Sequence, residues 1–310
     1  MISEQTVNTV KYVLITAAKN EESFIENTIQ SVLNQTIKPE RWVIVSDGST
    51  DQTNNIVEQY SSKNKFIEFI ALPPTKERNF GSKVNALNRA LKKLEGMEFD
   101  FIGNLDADLT LDNRYYENVI NRFHANPKLG VAGGIVLDCF DNKITPQNIS
   151  LNTVAGGIQV FRKQCFEKIG YYLPFKYGGE DAYMETSARM MGWEVQTLTD
   201  LKVLHHRPTG TGMGSLSKAN LRNGKMFYTL GYSPIFFLVR CLYRILDKPI
   251  LIGSTLNIIG YLWAFFTNEK SPASDAFINF VRSEQRERLK SLLPFNKKRT
   301  VVKTSRMIKI

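Results

Sequence analysis

The chain has 310 residues, of which 43% are hydrophobic and 23% charged, with a formal net charge of +10. That length holds one large domain or two ordinary ones of about 100–200 residues, and the composition excludes wholesale disorder, collagen-like repeats and coiled coil. The charge is uneven: residues 1–200 carry 21 Lys and Arg against 25 Asp and Glu, and residues 201–310 carry 19 against 5. A basic end of this kind suits an anionic partner, either phospholipid or nucleic acid.

The opening MISEQTVNTVKYV has no basic stretch leading into an apolar one, so no signal peptide is readable. Cys139, Cys165 and Cys241 include no CxxC pair. A disulfide framework and a cysteine-built zinc site are excluded, and a reducing compartment fits.

From residue 11, short apolar runs alternate with helical patterns. Tyr12–Ile15 reads as a strand, and Asn20 is placed to cap a helix with Ile25, Ile29, Val32 and Leu33 on one face. Trp42–Val45 is a second strand, followed by a turn and a helix bearing Ile56, Val57 and Tyr60. Phe66–Leu72 is a third strand, ended by Pro73-Pro74. Ser82 then caps a helix with Val84, Leu87, Leu91 and Leu94 at spacings of 3, 4 and 3. Phe99–Leu105 is a fourth strand running into Asp106-Ala107-Asp108. Beyond it, Gly130–Leu137 and Val154–Phe161 read as strands, each with a Gly-Gly pair where backbone or ligand approaches closely. Gly178-Gly179-Glu180-Asp181 opens a helix ending near Gly192-Trp193, and a short strand pair follows, ending at His205-His206.

Continuous apolar strands alternating with helices imply an α/β fold with a mostly parallel sheet covered on both faces. Ligands of such sheets bind at the carboxyl ends of the strands. Lys19-Asn20-Glu21, Asp47-Gly48-Ser49 and Asp106-Ala107-Asp108 all fall at such ends. One crevice thus gathers carboxylates from three strands, as a cation-assisted phosphate site requires.

Two carboxylates spaced as in Asp106 and Asp108 suit Mg²⁺ or Mn²⁺ clamped to a diphosphate. Glu180 and Asp181 at a helix start serve either as charges favouring the helix dipole or as a general base, and the two roles are compatible. Of His205 and His206, adjacent on a strand, at most one faces a given site.

The segments Thr16–Glu22, Val45–Thr53, Gly81–Asn88, Asp106-Ala107-Asp108 and Gly179-Glu180-Asp181 stand in the order found in family 2 glycosyltransferases. The sequence resembles that family, of the bacterial cell-surface-glycan type, across roughly residues 11–210. The resemblance implies a GT-A nucleotide-sugar-binding fold, a divalent cation (Mn²⁺ or Mg²⁺) and inverting transfer from a UDP- or GDP-type donor to an acceptor hydroxyl. Carried over, Thr16, Ala18 and Glu21 line the nucleoside pocket, Asp47 contacts the base, and Lys83 lies near the nucleotide. Asp106 faces the ribose or metal, Asp108 holds the cation, and Asp181 is the catalytic base with Glu180 beside it. A histidine after the last core strand completes the metal site in related enzymes, with His205 favoured over His206. The family's first motif usually has Pro where Ala17 stands. The Gln-x-x-Arg-Trp motif of processive members is absent from residues 182–235, so the resemblance points to addition of one sugar at a time.

Residues 1–232 are expected to form the catalytic domain, and residues 233–310 a helical, basic, membrane-associating region. Pro234–Leu246 places Arg240, Arg244 and Asp247 on one helical face with Leu238, Leu242 and Ile245 opposite. Pro249–Asn268 is uncharged, but Gly253, Ser254, Thr255, Asn257 and Gly260 interrupt it. An interfacial helix pair therefore fits better than a span. The tail Lys297-Lys298-Arg299, Lys303, Arg306 and Lys309 adds attraction to anionic lipid. No nucleic-acid-binding motif accompanies the charge. The expectation is a peripheral enzyme at the cytoplasmic face of the cell membrane, acting on a glycan or lipid-linked acceptor. Two alternatives make other demands. A nucleotidyltransferase making the activated sugar calls for a Gly-rich phosphate loop after the first strand, and Thr16–Glu22 has no glycine. A non-catalytic nucleotide-sugar-binding module calls for loss of a carboxylate at 106, 108 or 181, and none is lost.

Overall fold

The computed structural model describes residues 10–74, 80–140, 143–147, 150–207, 216–246 and 250–292. Among them, nine strands form one sheet in the order β3-β2-β1-β4-β8-β6-β9-β5, with β7 paired to β6 outside that path. β1 (Tyr12–Ala18), β2 (Arg41–Ser46), β3 (Ile67–Ala71) and β4 (Phe101–Asn104) are parallel neighbours. Tyr12, Val13, Leu14 and Ile15 of β1, and Trp42 to Val45 of β2, are fully or almost fully buried. Strands covered on both faces need such unbroken apolar runs.

The covering helices follow the expected spacings. α1 (Ile25–Leu33) buries Ile25, Ile29 and Val32; α2 (Thr53–Lys63) buries Val57; α3 (Phe80–Lys93) buries Val84, Leu87 and Leu91, with Leu94 just beyond its end. The expected caps are different. Asn20 takes a positive φ of 55° in the turn after β1, where its Oδ1 accepts from Thr50 N at 2.8 Å, five residues before α1 begins. Ser82 lies inside the first turn of α3.

Beyond β4 the sheet becomes mixed. β5 (Leu109–Leu111) is followed by α4 (Tyr115–Ala125), a helix the sequence reading did not anticipate. β6 (Leu129–Phe140) pairs antiparallel with β7 (Lys143–Pro146) and β8 (Val160–Arg162) but parallel with β9 (Glu194–His205). The expected strand over Val154–Phe161 is real only at its end; Gly156–Ile158 form a 3₁₀ turn instead. The strand pair expected before His205 is one long strand, β9, with a bulge. Gly134 opposes Leu198 while the next residue, Ile135, opposes Lys202. A side chain at Gly134 would meet Leu201 O at 2.4 Å, so glycine is what lets the bulge close.

α5 (Lys163–Ile169) and α6 (Glu180–Met190) complete the α/β body. α7 (Leu216–Thr229), α8 (Pro234–Tyr243), α9 (Ile252–Phe266) and α10 (Asp275–Leu292) follow. Ser233 caps α8, accepting from Phe236 N at 3.2 Å, with Pro234 at the first helical position. The buried face of α8 is Phe237 and Cys241, which join Tyr261 in a small separate core against Phe227, Tyr228 and Tyr232. Leu238 and Leu242, expected on the apolar face, point outward. Gly224 of α7 and Gly260 of α9 allow backbone contact between these helices: a Cβ at either would stand 2.0 Å from a carbonyl oxygen of the other. The small core thus draws on both sides of the expected boundary at residue 232. α10 returns to the body, where Phe277 packs on Tyr183 (4.8 Å between centroids) and Glu284 pairs with Arg189 of α6 at 2.9 Å.

Among the described residues no helix is long and apolar enough to cross a membrane. The 15 residues of α9 extend only about 22 Å, against a hydrocarbon thickness of about 30 Å. Asp247, Pro249 and the basic tail from Lys297 lie outside the described residues.

Candidate active site

The carboxyl ends of β1, β2 and β4 open on one crevice, as the parallel topology requires. The Asp106-Ala107-Asp108 segment is fixed on both sides. Thr16 Oγ1 donates to Leu105 O (2.6 Å), Thr28 Oγ1 to Ala107 O (2.9 Å), and Asp106 N to Gly157 O (2.9 Å). Thr16 is fully buried and its hydroxyl also accepts from Trp42 Nε1 at 2.9 Å, so it supports the crevice from beneath. Ala18 ends β1, where its carbonyl accepts from Asp47 N (2.8 Å). Asp47 in turn lies 3.5 Å from Lys19 Nζ.

Two charge clusters stand in the crevice. In the first, Lys83 Nζ from the first turn of α3 donates to both oxygens of Asp106, at 2.9 and 3.2 Å. Burial opposes its charge, but Asp106 and Glu180 raise its pKa. Glu180 and Asp181 open α6, directly after Gly178 and Gly179, whose φ values of 90° and 105° favour glycine. Burial, with the neighbouring Asp181 charge, pushes Glu180 up to about 7. Burial also raises Asp181, against a hydrogen bond from Ala182 N (2.8 Å). The 3₁₀ turn threads between these carboxylates. A Cβ on Gly156 would stand 2.5 Å from Asp181 Oδ2, and one on Gly157 would stand 2.7 Å from Asp106 Oδ2. This close approach is what the Gly-Gly pair provides, and it is why the segment cannot continue as a strand.

The second cluster follows from sheet register. His205 of β9 pairs with Asp138 of β6 on one side and with Leu109 of β5, next to Asp108, on the other. His205 Nδ1 is 2.7 Å from Asp138 Oδ1 and its Nε2 is 3.3 Å from Asp108 Oδ2. Burial opposes protonation of His205, while the two carboxylates raise its pKa. Burial also raises Asp108, but the His205 hydrogen bond and the Arg207 charge outweigh it and hold the carboxyl below its usual range. Arg207 joins Asp108 (2.6 Å) to Glu21. His206 turns away, with Nε2 2.6 Å from Thr110 Oγ1 and its ring stacked on Phe24.

The structure therefore brings together Lys83, Asp106, Glu180 and Asp181, and separately Glu21, Asp108 and His205. Asp138 and Arg207 were not singled out from sequence. Asp138 sits inside a strand with no motif around it, and only the pairing of β6, β9 and β5 reveals it.

Among the described residues, no three His, Cys, Asp or Glu side chains are arranged to hold a metal by themselves. A hard cation bound to a diphosphate needs only one or two protein ligands, however. Adjacent ligands on an octahedral ion with bonds of about 2.1 Å lie about 3 Å apart, close to the 3.3 Å between Asp108 Oδ2 and His205 Nε2. Asp138 on Nδ1 fixes the ring with Nε2 directed at that position, the arrangement common behind metal-binding histidines. Asp108 and His205 fit such an ion as two of its ligands, in competition with Arg207, whose Nε is 2.6 Å from the same Asp108 oxygen.

The crevice thus carries carboxylates at the carboxyl ends of its parallel strands and at the start of a glycine-led helix. Residues 13–188 match the family described as glycosyl transferase family 2. The chain belongs to that family and is a glycosyltransferase. It is 27% identical over 188 residues to a poly-beta-1,6-N-acetyl-D-glucosamine synthase of Staphylococcus epidermidis, covering 54% of this chain and 43% of that one. It is 28% identical over 176 residues to the enzyme of the same name from Staphylococcus aureus (50% and 40%). The chain spans less than half the length of these curated relatives. In fold it is similar to the mannosyltransferase PcManGT of Pyrobaculum calidifontis, solved with GDP-Man and Mn²⁺ (TM-score 0.54, 16% identity, covering 92% of this chain and 81% of that one). It is also similar to S. aureus TarS 1–349, solved with UDP-GlcNAc (TM-score 0.53, 16%, covering 83% and 73%).

Proposed function

We propose that the chain transfers one sugar at a time, with inversion, from a UDP- or GDP-type donor to an acceptor hydroxyl of a surface glycan or lipid-linked glycan. The observation that carries this reading is the convergence of Lys83, Asp106, Glu180 and Asp181 beside the Asp108–His205 pair.

Asp181 takes the proton of the acceptor hydroxyl as its oxygen attacks the anomeric carbon. The bond from that carbon to the diphosphate breaks, and the electron pair leaves with the phosphate oxygen. A base buried enough to have a raised pKa removes a proton at neutral pH more effectively than an ordinary carboxylate. Glu180 presents a buried Oε2 with no hydrogen-bond partner among the described residues, an acceptor that an incoming sugar hydroxyl can satisfy. Lys83, steered by Asp106, lies where it can meet the leaving diphosphate, and Asp47 and Glu21 border the nucleoside side. Asp108 and His205 would hold Mn²⁺ or Mg²⁺, whose chemistry is to neutralise the diphosphate as it departs. Asp106 faces Lys83, so it acts on the cation through charge.

The enzyme works at the cytoplasmic face of the membrane as a peripheral protein. Of the twenty large apolar side chains exposed among the described residues, fourteen lie between Ile235 and Phe266. An apolar surface so concentrated marks an interaction site, and the basic balance of residues 201–310 suits anionic lipid.

The test is a thermal-shift screen of nucleotide sugars with and without Mn²⁺, followed by donor turnover. A Mn²⁺-dependent rise in melting temperature for one donor, lost in Asp108→Ala, is the expected result. Full activity in EDTA would overturn the metal assignment.

A further inference from the structure

We propose that Arg207 is a built-in cation that holds Asp108 until a diphosphate draws it away, so that nucleotide and divalent ion bind in concert. This rests on the sugar-transfer reading above and gives its site a coupling between the two ligands.

Arg207 follows β9 and reaches back between two buried carboxylates. Its Nε is 2.6 Å from Asp108 Oδ2, and its Nη2 pairs with Glu21. The same Asp108 oxygen is 3.3 Å from His205 Nε2, and these two groups are the ones placed to share an ion. A guanidinium and a divalent ion on one carboxylate oxygen repel each other, strongly where little water screens them. Arg207 must therefore leave Asp108 before that oxygen can serve an ion fully. Lys83 is the contrast, a cation fixed by hydrogen bonds to both oxygens of Asp106, at 2.9 and 3.2 Å.

The contact is suited to exchange. The buried Nε of Arg207 has no hydrogen-bond partner among the described residues. Its N–H is thus not directed at the nearby Asp108 oxygen, and charge alone joins the two. An arginine serving only the fold would satisfy that donor, because a buried ion pair stabilises only when its hydrogen bonds are complete. An unmet donor on a planar fork suits a phosphate group, whose oxygens such a fork takes in pairs.

The support beneath Arg207 allows the change. Its guanidinium lies over the Phe24 ring, 5.3 Å from the centroid, and Phe24 stacks in turn on His206 at 6.1 Å. A flat ring holds a flat cation by its face and leaves the edges free to choose partners. With Glu21 at one edge, the head pivots off Asp108 while remaining paired. The diphosphate then meets two basic side chains, Arg207 and Lys83, and Asp108 is released to act with His205. Each ligand thereby favours the other by the same factor.

The test is calorimetric titration of the full chain with Mn²⁺, alone and at saturating UDP or GDP, and with each nucleotide at saturating Mn²⁺. In the wild type the nucleotide should tighten Mn²⁺ binding. In Arg207→Gln, Mn²⁺ alone should bind about tenfold tighter, and the nucleotide at saturating Mn²⁺ about tenfold weaker, so the coupling shrinks by about tenfold. Arg207→Lys keeps the charge and should keep the weak binding of Mn²⁺ alone. A gain in affinity is the telling sign, since a variant that merely disturbed the crevice would bind the ion less well. Unchanged or weaker Mn²⁺ binding in Arg207→Gln would overturn the inference. So would a wild type that binds Mn²⁺ equally with and without nucleotide, a result that needs no variant to fold. Nucleotide and Mn²⁺ binding without these differences would sink this inference alone; a wild type that binds no nucleotide or nucleotide sugar would sink the sugar-transfer reading, and this inference with it.

Discussion

The body around β1–β4 and the helical group α8–α9 use the same apolar residue types in opposite directions. In the body, Leu14, Ile44, Leu87 and their neighbours are fully buried, and the polar residues collect where the strands end. In α8 and α9 a three-residue core is enough to set the packing, and Leu238, Leu242, Leu262 and Trp263 are left facing outward. Burial explains the first set without reference to function. The second set costs free energy in water and is explained only by a surface it meets.

The largest expected effect lies at the polar edge of the body. Asp181→Asn keeps the shape of the side chain and removes its basicity. Transfer should fall by about 10²-fold or more while the donor-induced melting shift persists. Near wild-type transfer would make Asp181 a structural residue at the start of α6. Next, Asp138→Asn leaves Asp108 and His205 in place but frees the ring to reorient. Mn²⁺ affinity in the presence of nucleotide, read by direct titration, should weaken about 10–100-fold, the range typical of outer-shell partners. Unchanged affinity would deny the Asp138–His205 contact any positioning role.

Two paired substitutions test the contrast itself. Leu87→Ala in the buried face of α3 should cost about 2–5 kcal/mol in denaturant unfolding. Leu242→Ala on the outer face of α8 should change stability by no more than about 0.5 kcal/mol and yet reduce sedimentation with anionic vesicles. If Leu242→Ala destabilises as much as Leu87→Ala, the outer face is core covered by some other part of the chain.

A smaller effect concerns Glu185, which lies one turn after Asp181 and accepts from Val154 N at 2.9 Å. Burial pushes its carboxyl up to about 8, against about 4.3 for an exposed glutamate. A group that holds its proton more tightly when folded stabilises the fold at low pH, and that contribution is lost as pH rises through the folded value. The wild type should therefore lose stability relative to Glu185→Gln as pH rises from about 5 to about 8, by up to about 1.4 kcal/mol for each pH unit. Parallel melting profiles across that window would remove Glu185 from the account.

Much of the body was legible because its signals are local. Unbroken apolar runs gave β1, β2 and β4, and the 3, 4, 3 spacing gave the buried face of α3. The strand-end motifs placed Asp106 and Asp108 at one edge, and the family resemblance added Glu180 and Asp181 from the start of a helix. What was not legible depends on partners distant in sequence. Val154–Phe161 has strand-forming residues, but the need to pass between Asp106 and Asp181 turns it. The face that α8 buries is chosen by α7 and α9, so the spacing of Leu238, Leu242 and Ile245 identified an apolar face without saying what it meets. α10 has mostly polar residues and declares itself only through Phe277, Val281 and Gln285, spaced by four and buried.

The bulge in β9 also governs which insertions and deletions the site can survive. Three extra residues stand between the pairing of Gly134 with Leu198 and that of Ile135 with Lys202, and this offset sets His205 opposite Asp138. Residues paired across neighbouring strands share a face of the sheet, and a slip of one residue exchanges the faces along the whole strand. With Lys202 kept opposite Ile135, losing one residue between it and His205 would bring the next residue into the position between Asp138 and Asp108, and that residue is His206. The paired histidines give this strand a spare: a one-residue deletion still leaves an imidazole facing both carboxylates, whereas a one-residue insertion presents Leu204 and leaves none.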